Sequence, residues 1–236
     1  MAYQETEGLC RRLADAADDR IRVDVGLHAE YTSHEALMCD VADYARETGL
    51  RVHLHLSETQ KEHEECKARH NGLTPAALFE KVGLFDVPAT AAHCVWIEGG
   101  DFDIFRRHGV TVAHNPSSNM KLGSGYAPVK KMLESGVRVG IGTDGAASNN
   151  NLNMLEEVTL ASMLGKGLNG DPTFLSPSEL LEMSCRNGAQ AQGRADCGAL
   201  EVGNRADIVV YDLDRSHLVP TYDVLPNIFY AAAASD

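Results

Sequence analysis

The chain has 236 residues, and 34 acidic residues against 21 Lys and Arg give a formal net charge of −13. This charge argues against a protein that coats nucleic acid or a membrane surface, because both need clustered positive charge. Hydrophobic residues at 44% and charged residues at 23% exclude a disordered or fibrous chain. No apolar run reaches the roughly 18 residues of a membrane span, and the N-terminus lacks the apolar stretch of a signal peptide. We therefore expect a soluble, cytoplasmic protein.

Hydrophobic periodicity predicts strands that alternate with helices. In chain order, strands are expected over residues 21–26, 52–56, 89–95, 110–113 and 137–141. Helices are expected between them, over residues 35–47, 60–70, 75–82, 101–108 and 127–135. Near-continuous apolar strands separated by helices indicate a parallel sheet, either in an α/β barrel or in a doubly wound fold.

The last third of the sequence predicts two further helices, followed by a segment with the pattern of a turn and a strand. One helix is expected over residues 152–164, and the next begins at Ser176, where Ser-Pro-Ser-Glu forms a capping box. Residues 203–212 then read as a turn and a strand, which suggests part of a separate β module. An eight-stranded barrel needs about 250 residues, so five strands predict a partial barrel over residues 1–200. A partial β module and a return segment are expected over residues 201–236.

The six cysteines stand singly, without a CxxC pair or a framework spacing. This pattern predicts free, mostly buried thiols rather than disulfides or a zinc–cysteine site.

Polar residues stand at the ends of the predicted strands, where active sites of parallel α/β proteins form. They are His28, His55 with Glu58, His93, His114 with Asn115, and Asp144. Imidazole and carboxylate groups from different strands are the usual ligands of a catalytic divalent metal such as zinc. A carboxylate three residues beyond a ligand, as Glu58 is beyond His55, could carry protons beside the metal. That division of labour suits hydrolysis.

Each of these residues also has a structural interpretation. A histidine at a strand end can simply be hydrogen-bonded, and His53 shares a strand face with His55, so the residues alone do not choose between them. Asp144 before a glycine could form a turn, and the asparagines at 149–151 could cap the next helix. Solvated roles are expected for several helical and loop residues: His34, His63, His70, His108, His217, Glu62, Glu64 and Glu65.

Four strings of the sequence resemble the amidohydrolase superfamily. They are HLHLSET (53–59), AAHCVW (91–96), VAHNPSSNMKLGSGYAPV (112–129) and GIGTDGAASNNNLNMLEE (140–157). Within the superfamily they are most similar to the 5′-methylthioadenosine/S-adenosylhomocysteine deaminase and chlorohydrolase-like group. The resemblance implies a (β/α)₈ TIM-type barrel, here about its strands four to eight, with a remnant of a small β-sandwich module. It also implies one divalent metal, usually zinc although iron or manganese would fit, and release of ammonia from a ring carbon.

The resemblance assigns roles by position. His55 resembles a metal ligand, and its spacing to Glu58 favours it over His53. Glu58 resembles the proton shuttle to the heterocycle. His93 resembles the residue that holds the attacking water, and in this group it can also bind the metal. Asp144 resembles the second metal ligand, which also accepts a proton from water. His28 resembles a substrate-binding residue, as do Glu58 and His93.

Two departures from the family stand out. The family often has proline where Glu30 stands, which could alter the pocket rim. Its first strand ends in a His-x-His pair that supplies two metal ligands, and no histidine occurs upstream of His28. We therefore expect a fragment that lacks the first three strands, is poorly soluble and inactive alone, and exposes residues 21–26 as an open edge.

The leading hypothesis is a metal-dependent deaminase of an adenosine-type nucleoside, such as S-adenosylhomocysteine, 5′-methylthioadenosine or adenosine. The alternatives are a hydrolase of another ring (guanine, cytosine, 8-oxoguanine or an s-triazine) and an inactive barrel fragment that serves as a scaffold. A doubly wound nucleotide-binding module is disfavoured because no GxGxxG turn follows the first strand. The expected partner is a small molecule, with no nucleic acid and no membrane, and a homo-oligomer is compatible with the sequence.

Overall fold

The computed structural model describes residues 2–13 and 20–236. Its sheet has five strands: β1 (Val25–Leu27), β2 (Val52–Leu56), β3 (Ala89–His93), β4 (Thr111–His114) and β5 (Arg138–Ile141). They lie in the order β1-β2-β3-β4-β5, and every neighbouring pair is parallel. Each strand therefore pairs with the next one along the chain, as successive β–α–β units require.

Helices connect the strands and continue after the last one. They are α1 (Ala2–Leu13), α2 (Glu35–Thr48), α3 (Gln60–Arg69), α4 (Pro75–Lys81), α5 (Asp101–His108), α6 (Pro116–Lys121), α7 (Val129–Glu134), α8 (Ala146–Asn149), α9 (Met154–Asn169), α10 (Pro177–Leu181), α11 (Asn187–Ala191) and α12 (Val224–Ala231). Short 3₁₀ turns occupy Glu30–Thr32 and Ser216–Leu218, and a π-helical turn, Glu182–Arg186, joins α10 to α11. Local signals set many ends: the Ser176 capping box begins α10, and Gly109, at a φ of 64°, ends α5.

The register of the strands separates two faces of the sheet. Val52, Leu54 and Leu56 of β2 are buried in the core beneath the helices. His53 and His55 alternate with them and lie on the opposite face. One row across that opposite face contains Gly26, His53, Thr90, Thr111 and Arg138. Part of this row is covered, because Thr90 donates a hydrogen bond of 2.9 Å to the carbonyl of Ala191 in α11.

The five strands predicted between residues 21 and 141 and the predicted helices form, with shifts at their ends. The first strand begins at Val25 rather than at residue 21, and the helix predicted over 152–164 runs from Met154 to Asn169. The strand predicted within residues 203–212 is wrong, because this segment has no strand and exposes Ile208, Val209 and Val210. A strand needs a neighbour to pair its backbone N–H and C=O groups, and in the described chain this segment pairs with none. A remnant of a β-sandwich is therefore not seen.

The segment after residue 215 returns to the body of the fold. Phe229 of α12 is buried in the core, and its carbonyl accepts a hydrogen bond from the Thr159 hydroxyl of α9. The Tyr230 hydroxyl lies 2.6 Å from that of Ser162. Helix α12 therefore packs against α9, whereas the predicted division of the chain near residue 200, with a return segment after it, stays a prediction.

All six cysteines are free, as predicted, and three of them are buried: Cys10, Cys66 and Cys94. Burial raises the pKa of the Cys66 thiol to about 12 and raises that of the fully buried Cys94 thiol as well. Cys185, in contrast, is exposed.

Among the described helices, none combines the length and the apolar character that crossing a membrane requires.

Candidate active site

The chain turns sharply at the carboxyl ends of three strands, and residues with positive φ stand at those turns. Ser57 follows β2 with a φ of 47°, His93 ends β3 with a φ of 72°, and Asp144 follows β5 with a φ of 59°. A residue other than glycine adopts this region at a cost of about 1–3 kcal/mol, and such residues concentrate at functional sites. Because parallel strands end at the same edge of a sheet, the three turns lie together.

Three side chains from these strand ends form a cluster of metal-ligand type. His55, His93 and Asp144 each offer one ligand atom, and these atoms lie within 4.8 Å of one another. The two imidazole rings are stacked, with centroids 5.5 Å apart and planes inclined by 18°. Two nitrogens and one carboxylate oxygen are a donor set that suits zinc, iron or manganese.

The hydrogen bonds of the two histidines fix which ring nitrogen stays free. His55 Nδ1 donates to the His28 carbonyl at 2.7 Å, and His93 Nδ1 donates to Asn119 Oδ1 at 2.8 Å. Because a carbonyl oxygen can only accept, each Nδ1 carries the proton and each Nε2 keeps a lone pair. Histidine ligands of metals show this arrangement, in which the other ring nitrogen donates to a carbonyl or carboxylate. The residues therefore fit a divalent metal ion.

Asp144 completes the cluster as an ionised carboxylate. Its Oδ2 accepts from the Ser118 hydroxyl at 2.6 Å, and its Oδ1 accepts from the Gly145 N–H at 2.6 Å. Partial burial alone would raise the pKa of Asp144, but these two hydrogen bonds and the nearby His93 outweigh it, so the pKa lies below its ordinary value. An anionic ligand is thus maintained at neutral pH.

Glu58 and His28 flank the cluster on the side of β1 and β2. Glu58 Oε2 lies 3.8 Å from His93 Nε2, and Glu58 Oε1 accepts from the Ser124 hydroxyl at 3.2 Å. The His28 ring lies 5.0 Å from that of His55 between centroids, and its Nδ1 lies 2.8 Å from the Thr32 hydroxyl oxygen. The structure therefore brings together the five residues to which the family resemblance assigns roles: His28, His55, Glu58, His93 and Asp144.

Two histidines that the sequence also singled out lie outside this cluster. His53 is on the same face as His55 but does not belong to a group of potential ligands in the described chain. His114 is fully buried, packs edge-on at 5.1 Å against Tyr126, and has a pKa that burial lowers to about 3. It is therefore a neutral core histidine.

The sequence did not reveal the residues that support the site. Ser118 and Asn119 follow β4 in the short helix α6, and their partners, Asp144 and His93, come from other strands. The string VAHNPSSNMKLGSGYAPV contains them, but nothing in it says what they touch. Glu157 of α9 is also buried and joins two segments, because it accepts from Ser117 N–H at 3.1 Å and from Asn149 Nδ2 at 2.6 Å.

The prediction of a solvated polar face on α3 is wrong for two residues. Glu62 and His63 are 5% and 2% exposed. Both reach back to the turn after β2: Glu62 accepts from backbone N–H groups there, and His63 Nδ1 lies 3.0 Å from the Ser57 hydroxyl oxygen. Glu64 and Glu65 are exposed, as predicted.

The predicted solvation also fails for two half-buried histidines that have carboxylate partners. His70 is paired with Glu30, and His108 is paired with Glu80.

A second group of potential ligands contains Glu30, Cys66 and His70. The Glu30 carboxylate is 3% exposed and is already paired with the Arg69 guanidinium and His70. The Arg69 guanidinium compensates its charge, and the group is explained as a polar network that ties the turn after His28 to α3.

A parallel sheet with connecting helices and metal-ligand side chains at its carboxyl edge is the α/β arrangement in which TIM-type barrels and doubly wound sheets carry their active sites. The sequence profile of the amidohydrolase family matches residues 3–234. The chain belongs to this family.

Individual members of the family and solved structures resemble this chain over most of its length. The chain is 46% identical over 222 residues, 94% of its length and 52% of the other, to 5-methylthioadenosine/S-adenosylhomocysteine deaminase of Dictyoglomus thermophilum. A crystal structure of an adenosine deaminase from Xanthomonas campestris with bound zinc superposes with a TM-score of 0.92, at 33% identity, over 98% of this chain and 52% of that one. Atrazine chlorohydrolase TrzN from Arthrobacter aurescens, complexed with zinc, gives 0.86 at 28% identity, over 95% and 51%. The chain thus spans about half the length of these proteins.

Proposed function

We propose that the protein carrying this chain is a metal-dependent hydrolase that deaminates an adenosine-type nucleoside and releases ammonia. S-adenosylhomocysteine, 5′-methylthioadenosine and adenosine are the candidate substrates. The observation that carries the proposal is the convergence of His55, His93 and Asp144, whose ligand atoms lie within 4.8 Å of one another, with the Glu58 carboxylate 3.8 Å from His93. The deaminase names of similar proteins support it.

His55 and Asp144 would hold one divalent ion, with His93 as a further ligand or as the group that holds the attacking water. Zinc is the first choice and iron or manganese would fit the same donors. When bound, such an ion lowers the pKa of water towards about 7 and so makes a nucleophile available at neutral pH.

The remaining chemistry falls to the side chains of this chain. Asp144, held ionised, accepts a proton from the attacking water. Glu58 delivers a proton to the ring nitrogen next to the reacting carbon, and the amino group leaves as ammonia after it gains the proton that Asp144 took from the water. The second proton of the water returns to Glu58 as the new carbonyl forms. His28 and His93 contact the substrate. Glu58 is well placed for proton transfer because its carboxylate is half-buried and lies beside His93.

The proposed setting is a cytoplasmic protein that acts on a small molecule and needs neither nucleic acid nor a membrane. A net charge of −13 is compatible with nucleoside substrates, which are not polyanions. The protein is proposed to form a homo-oligomer, and gel filtration of the complete protein would determine its oligomeric state.

The test uses the complete reading frame that contains this chain, loaded with zinc, and measures ammonia release from the three nucleosides. A His-x-His pair encoded upstream is expected. Glu58→Gln and Asp144→Asn should each lower kcat/KM by at least about 100-fold, since general acid–base groups typically contribute that much. Glu65→Gln, an exposed carboxylate on α3, is the matched control and should match the unaltered protein. A complete protein that neither binds metal nor releases ammonia would leave the scaffold interpretation in its place.

A second candidate function is hydrolysis of another heteroaromatic ring: guanine, cytosine, 8-oxoguanine or an s-triazine. The similarity to a zinc-bound atrazine chlorohydrolase favours including it. The same assay with these rings separates the two candidates, because the higher kcat/KM identifies the substrate class.

A further inference from the structure

Helix α3 begins two residues after Glu58, and its first turn contains a carboxylate that the proposed chemistry does not use. Glu62 is 5% exposed, whereas Glu64 on the same helix is exposed. Burying a carboxylate is unfavourable, and burial raises the pKa of Glu62, although the backbone N–H groups of Glu58, Ser57 and Thr59 partly offset this effect. The cost of burying the Glu62 carboxylate therefore has to be offset by the hydrogen bonds that it accepts.

The contacts of Glu62 extend beyond those of an ordinary capping residue. Thr59 is the N-cap of α3, and its hydroxyl accepts from Glu62 N–H at 3.1 Å. In a capping box the glutamate would reach back to the N–H of the N-cap residue itself. Here Glu62 Oε1 accepts from Ser57 N–H at 3.0 Å and Oε2 accepts from Glu58 N–H at 2.8 Å. Both carboxylate oxygens therefore bind the turn that precedes the helix.

The Glu58 side chain has few contacts of its own to hold it. One hydrogen bond of 3.2 Å from Ser124 and the 3.8 Å approach to His93 are its side-chain interactions given by the described residues. Its direction therefore depends on the main chain at Ser57 and Glu58. That main chain is in an unfavourable conformation, since Ser57 has a φ of 47°, and would relax without a constraint.

We propose that Glu62 is a positioning residue for Glu58. Its carboxylate fixes the turn at Ser57 and Glu58, and thereby directs the Glu58 carboxylate towards His93. The inference rests on the proposed function, in which Glu58 transfers the proton. Since proton transfer occurs in the chemical step, a disordered Glu58 should lower kcat and leave KM and zinc binding nearly unchanged.

The experiment compares three variants of the complete zinc-loaded protein. Glu62→Gln keeps the shape of the side chain but only one accepting oxygen, so one of the two N–H groups loses its partner. Glu64→Gln is the matched control on the same helix. Thr59→Ala removes the helix cap while leaving the two Glu62 contacts in place. The readouts are kcat, KM, zinc content, the thermal midpoint, and amide hydrogen exchange of the peptide that covers residues 57–58.

We expect Glu62→Gln to lower kcat by about 10- to 100-fold, the usual effect of losing a residue that orients a catalytic group, with KM and zinc content retained. Exchange at residues 57–58 should be faster in this variant alone. Thr59→Ala should lower the thermal midpoint without lowering kcat, and Glu64→Gln should change neither. Glu62→Asp, which keeps the charge but shortens the reach, should repeat the pattern if Glu62→Gln does not fold.

Unchanged kcat and unchanged exchange in Glu62→Gln would overturn the inference. An equal loss of kcat in Thr59→Ala would also overturn it, because the effect would then be general loosening of α3. If the unaltered protein releases no ammonia from any nucleoside, the proposed function fails. The exchange measurement then decides alone whether Glu62 holds the turn.

Discussion

His114 shows how a single side chain near the site can set the response of the whole protein to pH. Its imidazole is fully buried, and neither ring nitrogen is hydrogen-bonded within the part of the chain that the structure describes. Burial lowers its pKa from 6.5 to about 3, since a buried imidazolium would lose its hydration. Between those two pH values the unfolded chain binds a proton that the folded chain does not. The folded state is therefore favoured above pH 6.5 and loses stability as the pH falls towards 3.

We predict that replacing His114 by leucine flattens this dependence. The unaltered protein should lose at most about 1.4 kcal/mol of unfolding free energy per pH unit from this one group below its unfolded pKa. The measurement is the urea midpoint between pH 7 and about pH 4, in the unaltered protein and in His114→Leu. His34→Asn, which replaces the exposed N-cap histidine of α2 by another N-cap residue, is the control and should retain the full slope. Equal slopes in all three proteins would contradict the assignment.

At the scale of elements, the sequence predicts what local patterns encode. The strands could be predicted because they are apolar runs of the sequence. The start of α10 could be predicted because Ser176 and Glu179 form a capping box. The rule that parallel strands end at one edge grouped His55, His93 and Asp144 together with other candidates, and the family resemblance was needed to prefer His55 over His53. Side-chain burial on α3 was not predictable, because this helix is polar on most sides and the burial of Glu62 arises from the turn beneath it. The same holds for Asn119, whose partner His93 comes from another strand.

Helix α9 contributes a prediction of its own through Glu157. This buried carboxylate joins Ser117 of α6 to Asn149 of α8, and Asn149 also donates to the Thr143 carbonyl at 2.7 Å, next to Asp144. Glu157→Ala removes the acceptor of the Ser117 N–H and of one of the two Asn149 amide hydrogens, at a total cost of about 1–3 kcal/mol in unfolding free energy. It should also weaken zinc binding, measured by competition with a chelating dye. Glu156→Ala, the exposed neighbour, should keep zinc affinity, and equal losses in both variants would contradict the role given to Glu157.

At the scale of the whole molecule, the sheet of the described chain is open. Strands β1 and β5 each pair with one neighbour there. On the sheet face that carries His55, the residues Gly26, His53 and Arg138 are exposed. Unpaired strand edges are templates for pairing with other chains. We predict that the 236-residue chain expressed alone elutes from gel filtration as aggregates, whereas the complete protein elutes as one defined species. A monodisperse chain that unfolds cooperatively would contradict this prediction.

The buried thiol of Cys94 offers a way to time the opening of the site. Cys94 follows His93 directly, is fully buried, and has a raised pKa, whereas Cys185 is exposed. The thiolate is the nucleophile that attacks an alkylating reagent, so in the folded protein such reagents modify Cys185 first and reach Cys94 only when β3 separates from its neighbours. The rate at which Cys94 is alkylated, followed by mass spectrometry, thus measures how often the strand that ends in His93 opens. This measurement does not require the substrate to be known.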